Sequence, residues 1–223
     1  MRPVDRAGVE ELSPAAATYL GERAGALAAF AELLVREGDK RGLLGPRELP
    51  RLWTRHLLNS TAVSGFVPSG ALVADVGSGA GFPGVVLALV RPDVDVVLIE
   101  PMARRVQWLL DVADWLALDN VRVARARADE LHGELAVDVV TCRAVAALRE
   151  LVPWVAPLLV DDGELAILKG ARAAAEIAEA AAVLHRFGLA PAWVEEVDPV
   201  VDGVHLFGEE PARIVRTRRV PRG

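Results

Sequence analysis

The sequence predicts an α/β protein: a mostly parallel sheet of seven strands with helices on both faces, preceded by an N-terminal helical extension. Three observations predict it. From Ala71 onward, short Val/Leu/Ile/Ala runs alternate with longer segments of helical period, the pattern of βαβ units. The chain is 52% hydrophobic but only 5% aromatic, an aliphatic composition suited to helices packed closely on a sheet. Finally, the run Leu72 to Val76 leads into the glycines of Gly77-Ser-Gly-Ala-Gly81 and then a helix, the strand–loop–helix order of a ligand-binding α/β unit.

Taken in order, Ser13-Pro14 marks a helix start, and Tyr19, Leu20, Leu27, Phe30, Leu33 and Leu34 recur at helical spacing up to a stop at Gly38. A polar loop with Gly42, Gly45 and Pro46 precedes a second helix from Glu48 to about Ser64, which brings Leu52, Leu57 and Val63 to one side. The expected strands are Leu72 to Val76, Val94 to Glu100, Val121 to Ala124, Val137 to Cys142, Glu164 to Lys169, Pro191 to Val197 and Ala212 to Thr217. The last two form a hairpin through the Gly203 and Gly208 region. Helices are expected over 83–90, 103–117, 144–158 and 172–187, the last from an Ala-rich stretch that is a strong helix former. The division is a helical region, 1–68, and a sheet domain, 69–223; at 223 residues a second full domain is not expected.

No apolar stretch approaches the ~20 residues of a membrane helix. Met1 to Glu11 mixes Arg2 and Arg6 with Asp5, Glu10 and Glu11, unlike a signal peptide, so a cytoplasmic location and no membrane are expected. One cysteine, Cys142, and four scattered histidines give no disulfide and no metal-ligand spacing. The net charge is −6, yet arginines cluster at Arg47, Arg51 and Arg55, at Arg122, Arg125 and Arg127, and from Arg213 to Arg222. An acidic chain can thus present a basic face to nucleic acid, although each cluster also reads as a solvated helix face or tail.

The glycine loop carries the chemistry. Lacking Cβ atoms, Gly77, Gly79 and Gly81 let backbone N–H groups approach a ligand at the strand's C-terminal end. A dinucleotide fingerprint is also legible, as Gly79-Ala-Gly-Phe-Pro-Gly84, so a nicotinamide or flavin enzyme is a rival reading. Asp75 favours S-adenosylmethionine, since a carboxylate before the loop suits that cofactor's amino acid end and would repel a pyrophosphate. Glu100 closes the second strand roughly 20 residues on, where an acid accepts from ribose hydroxyls. Ala128 and Asp129, after the third strand, would face an adenine ring and its amine, unless Asp129 caps the short helix that follows. Phe82 either covers the cofactor or belongs to the core.

The fourth strand ends in Thr141-Cys-Arg-Ala144. It lacks the Asn/Asp-Pro-Pro-aromatic motif of exocyclic-amine methyltransferases and the Pro-Cys setting of cytosine C5 enzymes; Cys142 reads as core. Arg143 stands at the crevice edge, able to meet a phosphate, a base edge or a carboxylate, and Lys169 ends the fifth strand as a phosphate grip or a solvated terminus.

Assembled, these residues resemble the glucose-inhibited division protein B, or RsmG, family of small-subunit ribosomal RNA guanine-N7 methyltransferases. The resemblance runs through Arg55-His-Leu-Leu-Asn-Ser60, Asp75 to Gly84 with its Gly-Phe-Pro-Gly ending, Arg91-Pro92, Arg104-Arg105, Asn120-Val121, Arg143-Ala144 and Leu168-Lys-Gly170. It implies a Rossmann-like class I methyltransferase fold and S-adenosylmethionine held at Gly77, Phe82, Ala128, Asp129 and Arg143. It also implies small-subunit (16S) ribosomal RNA, free or in a ribosomal particle, as the partner of a monomeric enzyme. Arg51, Arg55 and His56 are expected to meet the RNA, and Arg143 with Lys169 to position it, with no general base and no metal. Asn59 stands where the family usually has aspartate, which leaves a carboxylate role there open.

Overall fold

A computed structural model describes residues 8–221. Arg2, Asp5 and Arg6, and Arg222 at the end of the third basic group, lie outside them. The expected first helix is two: α1 (Pro14–Leu20), capped by Ser13 Oγ accepting from Ala16 N at 3.2 Å, and α2 (Ala24–Glu37), joined by a 3₁₀ turn. The break falls at Gly21, whose φ of 53° leaves the right-handed helical region, a departure that glycine makes at little cost.

The expected second helix is not a regular α-helix. A 3₁₀ segment Pro46–Arg51 carrying Pro50 leads into a π-helix, Leu52–Leu58, then a single α turn, α3 (Asn59–Thr61), and another 3₁₀ segment, Ala62–Phe66. The wider i→i+5 winding turns Leu52, Trp53, His56, Leu57 and Leu58 all inward. Glu10 Oε2 anchors its start by accepting from Trp53 N at 2.6 Å and Thr54 N at 3.0 Å.

The sheet domain then runs β1 (Leu72–Val76), α4 (Gly84–Val90), β2 (Asp95–Ile99), α5 (Ala103–Trp115), β3 (Val121–Ala124), β4 (Val137–Arg143), α6 (Leu148–Val155), β5 (Leu159–Lys169), α7 (Ala173–Arg186), β6 (Trp193–Val197), β7 (Val200–Val201), β8 (Val204–His205) and β9 (Ala212–Arg218). Seven strands form one sheet in the order β3-β2-β1-β4-β5-β9-β6. β1 to β5 are parallel, and β9 runs antiparallel between β5 and β6. The expected pairing of the last two strands is present, but the Gly203 turn closes a separate small hairpin, β7–β8, nested between them.

Apolar residues fill both faces. Leu27, Phe30 and Leu57 of the N-terminal helices share one core with Val86, Leu98 and Trp108, while Leu151, Val155 and Leu184 of α6 and α7 pack against Val140 and Ile167 on the other face. Two sequence motifs prove to be scaffolding. Arg91 Nη1 donates to the carbonyls of Ser64 (2.8 Å) and Val67 (2.9 Å), tying the helical region to α4. Asn120 Nδ2 donates to the carbonyls of Ala88 (3.2 Å) and Val94 (3.0 Å), holding α4 to β2 and β3. Among the described residues no helix is long and apolar enough to cross a membrane.

Candidate active site

Strand order reverses between β1 and β4, and open α/β sheets bind ligands at such a switch point, beyond the strands' C-terminal ends. A cavity of about 300 Å³ lies there. Its walls are Val76 and Gly77 from β1 and its loop, Ile99 to Met102 after β2, Ala126 to Asp129 after β3, Ala144 and Val145 after β4, with Arg105 and Trp154 from α5 and α6.

The glycine loop is shaped by its own backbone. Gly77, Gly79 and Gly81 have φ of 71°, 54° and 108°, conformations that side chains disfavour. A Cβ on Gly77 would stand 2.7 Å from Val145 Cγ2, and one on Gly81 2.8 Å from Val85 Cγ2. Gly77 therefore exposes bare backbone to the cavity. Glu100 Oε2 accepts from Gly79 N (3.1 Å) and Oε1 from Met102 N (2.9 Å), so this carboxylate, 2% exposed, joins the loop to the start of α5 on the cavity wall.

Asp75 is on the opposite side of β1 from the cavity. Its Oδ2 accepts from Gly84 N at 3.0 Å, which is possible because Gly84 has no side chain: a Cβ there would lie 2.5 Å from that oxygen. Asp75 Oδ1 is buried and has no partner. Burial pushes the carboxyl up to about 7. Asp75 thus clamps the loop from beneath rather than reaching a ligand in the cavity.

Ala128 and Asp129 line the cavity as a pair. The N-cap of their short turn is Arg127, whose N–H donates to Glu130 Oε2 at 2.8 Å, and this leaves Asp129 on the cavity wall beside Arg127 Nε at 3.1 Å.

Four more expected site residues, besides Asp75, are placed elsewhere. Phe82 is 7% exposed and packs in the core, stacked on His56 with ring centroids 5.3 Å apart and tilted against Phe30 at 5.9 Å. Arg143 turns from the crevice toward the π-helix. It donates to Arg55 O at 3.1 Å and to His56 Nδ1, with its guanidinium 5.1 Å from the centre of the Phe82 ring. Burial and the charge of Arg55 lower it to about 10. His56 is 6% exposed and is no surface cation: accepting at Nδ1, it donates from Nε2 to Glu48 Oε2 at 2.7 Å, and burial with the charge of Arg143 lowers it to about 4. Lys169 is not a solvated terminus, since its Nζ donates to Ala146 O at 2.5 Å and pairs with Glu176 at 2.8 Å. Only Arg51 and Arg55 of that set are exposed, both beside Glu48.

The other basic groups divide. Arg122 and Arg125 are exposed, whereas Arg216 and Arg218 grip Glu164 at 2.5 and 3.1 Å and Arg219 donates to Ala156 O at 2.7 Å, so the third group is built into the sheet. Cys142 is buried and its thiol is pushed well up by burial, as core placement requires. Among the described residues no cluster of His, Cys, Asp or Glu could hold a metal. Met102, Arg105, Val145 and Trp154 escaped sequence reasoning as wall residues; only Arg105 carried a signal, in the Arg104-Arg105 pair.

A family model described as rRNA small subunit methyltransferase G matches residues 23–198. The chain belongs to this family. Curated relatives named Ribosomal RNA small subunit methyltransferase G include that of Beutenbergia cavernae, 52% identical over 89% of this chain and 91% of the relative. That of Leifsonia xyli is 49% identical over 92% and 96%. Among solved structures, a SAM-dependent O-methyltransferase from Thermotoga maritima superposes with a TM-score of 0.56 at 17% identity, covering 74% of this chain and 66% of that one. A protein of M. jannaschii solved in complex with AdoMet gives 0.55 at 16%, covering 73% and 74%. These show the fold, a Rossmann-like class I methyltransferase fold. Membership of the methyltransferase G family makes the chain an enzyme with S-adenosylmethionine as its cofactor and sets aside the nicotinamide reading. The bare backbone at Gly77 and the paired walls at Glu100 and Asp129 fit that cofactor.

Proposed function

We propose that this chain transfers a methyl group from S-adenosylmethionine to N7 of a guanine in small-subunit (16S) ribosomal RNA. The observation that carries this reading is the family match over 23–198, on a chain whose cavity lies at the switch point of the sheet. S-adenosylmethionine supplies an electrophilic methyl on a sulfonium. Guanine N7 has an in-plane lone pair and carries no proton, so no residue of the chain would have to act as a general base toward it.

The residues then have orienting work. Gly77 and Gly79 cradle the cofactor with backbone, Glu100 accepts from the ribose hydroxyls, and Ala128 with Asp129 receives the adenine. Asp75 holds the loop in shape through Gly84. Alignment of this kind can supply roughly 7 to 11 kcal/mol in favourable cases. Arg143 and Lys169 act as positioning residues, fixing the 143–148 segment that forms the cavity's β4 wall, and the segment 69–223 carries the transfer while 1–68 presents Arg51 and Arg55 to RNA phosphates. A ribosomal RNA substrate, free or within a particle, supports a cytoplasmic location, and the enzyme works as a monomer in this reading.

The test is incubation of the purified chain with methyl-labelled cofactor and either naked small-subunit RNA or assembled small subunits. Label transferred to RNA in at least one arm is the expected result. Cofactor binding without transfer in either arm would sink the assigned substrate and favour a methyltransferase for a small molecule or protein.

A further inference from the structure

A continuous chain of contacts joins the exposed arginines of the helical region to the cofactor cavity. Glu48 is its outer member, and its carboxylate is shared: Oε1 pairs with Arg51 at 2.6 Å, while Oε2 accepts from His56 at 2.7 Å and lies 3.7 Å from Arg55. His56, almost wholly buried, receives Arg143 on its other nitrogen. Arg143 also donates to the backbone carbonyl of Arg55, so it registers the position of that residue directly. The next residue, Ala144, has a φ of 55°, and Val145 after it presses on Gly77, both on the cavity wall. Arg55 and His56 sit on a π-helix of seven residues, a rare conformation that is frequent at functional sites. In this case it turns one neighbour to solvent and the next inward.

We propose that Glu48, His56 and Arg143 couple RNA engagement at Arg51 and Arg55 to the ordering of Val145 over Gly77, so that RNA and cofactor bind cooperatively. The coupling rests on the RNA reading above. A phosphate that draws Arg51 and Arg55 outward leaves the Glu48 carboxylate to His56 alone. A stronger hydrogen bond at Nε2 polarises the ring and makes Nδ1 a better acceptor for Arg143, as bonds in a buried chain reinforce one another. Arg143 then holds residues 143–145 more firmly, and the cofactor meets a wall already ordered. Reciprocity follows: the factor by which RNA tightens cofactor binding equals the factor by which cofactor tightens RNA binding.

The experiment measures the affinity of the full chain for S-adenosylhomocysteine by calorimetry, without and with saturating small-subunit RNA. The unmodified chain should bind at least about fivefold more tightly with RNA present, the lower end of ordinary coupling between sites. Glu48→Gln keeps an acceptor for His56 Nε2 but has no charge for the arginines to compete over. It should leave affinity without RNA within about twofold, bind RNA at least as well, and lose the enhancement. Arg143→Lys, which replaces the separate guanidinium nitrogens that meet the Arg55 carbonyl and His56 with a single ammonium, should lose the enhancement as well. Both ligands binding with no enhancement in the unmodified chain, or an undiminished enhancement in Glu48→Gln, would overturn the coupling alone. RNA that fails to bind at all would overturn the substrate reading and the coupling with it.

Discussion

Two residues of the glycine loop's surroundings make separable predictions. Gly77→Arg places a side chain where φ is 71° and where its Cβ would overlap Val145, so backbone strain and loss of the cradle act together. Calorimetry with S-adenosylhomocysteine should show a loss of at least about 100-fold, or roughly 3 kcal/mol; retained affinity would remove the loop from the site. Asp75 is read through pH. Its carboxyl is raised by burial from 3.8 to about 7, so the stability it contributes is full below pH 3.8 and is lost as pH rises through 7. Asp75→Asn removes that dependence while keeping an acceptor for Gly84 N. Denaturant unfolding at pH 5 and pH 8 should show the unmodified chain losing ground to the variant by a few kcal/mol at most, on the order of the pKa difference; a constant gap would contradict a buried, raised carboxyl. At this scale the sequence showed which residue types mattered better than what they touch. Glu100 and Asp129 were legible because an acid after a strand end has few uses; Asp75 stood out for the same reason, but it holds Gly84 N instead of facing the cavity. His56 and Arg143 were misplaced because two cationic residue types near a crevice suggest RNA, whereas burial makes one a neutral acceptor and the other its donor.

Elements were most legible where run length and flanking turns decide them. β1 and β3 run as expected from Leu72 to Val76 and from Val121 to Ala124, because runs of four or five residues between turns are too short for a helix. The Leu52–Leu58 π-helix was not legible: its inward residues fit a helical pattern, and the stacking of His56 on Phe82 that accompanies the wider winding is a long-range contact with no local sequence signal. β5 starts earlier than the expected Glu164, at Leu159, and carries Asp161 and Asp162, residues of a type that favours turns, with Asp162 at a φ of 63°. The end of that strand supports a prediction. Lys169 fixes Ala146 and Glu176, and Glu176 in turn accepts from Leu148 N at 2.9 Å, so Lys169→Ala should loosen the segment between β4 and α6. Removing one partner of this largely buried pair should cost about 3 kcal/mol of stability and weaken cofactor binding, with the salt dependence of RNA binding unchanged. A salt slope reduced by about one would show instead that Lys169 meets a phosphate.

For the whole molecule, the helical region and the sheet share one core, yet their exposed chemistry is divided: the cavity belongs to the sheet and Arg51 with Arg55 to the helices. Arg51→Glu and Arg55→Glu should therefore weaken RNA binding and lower its salt slope by about one per lost phosphate contact. Neither should weaken S-adenosylhomocysteine binding in the absence of RNA, and each should tighten it to the extent that it frees Glu48 for His56. Equal losses for both ligands would contradict the division. What defines the enzyme is the atom that receives the methyl group. The most direct measurement maps the product: small-subunit RNA treated with the enzyme and labelled cofactor is digested, and its labelled nucleoside is identified by chromatography and mass spectrometry, with the site located by cleavage at 7-methylguanosine. Label is expected in 7-methylguanosine within the small-subunit RNA; label on an exocyclic amine, a pyrimidine carbon or a ribose hydroxyl would overturn the N7 assignment.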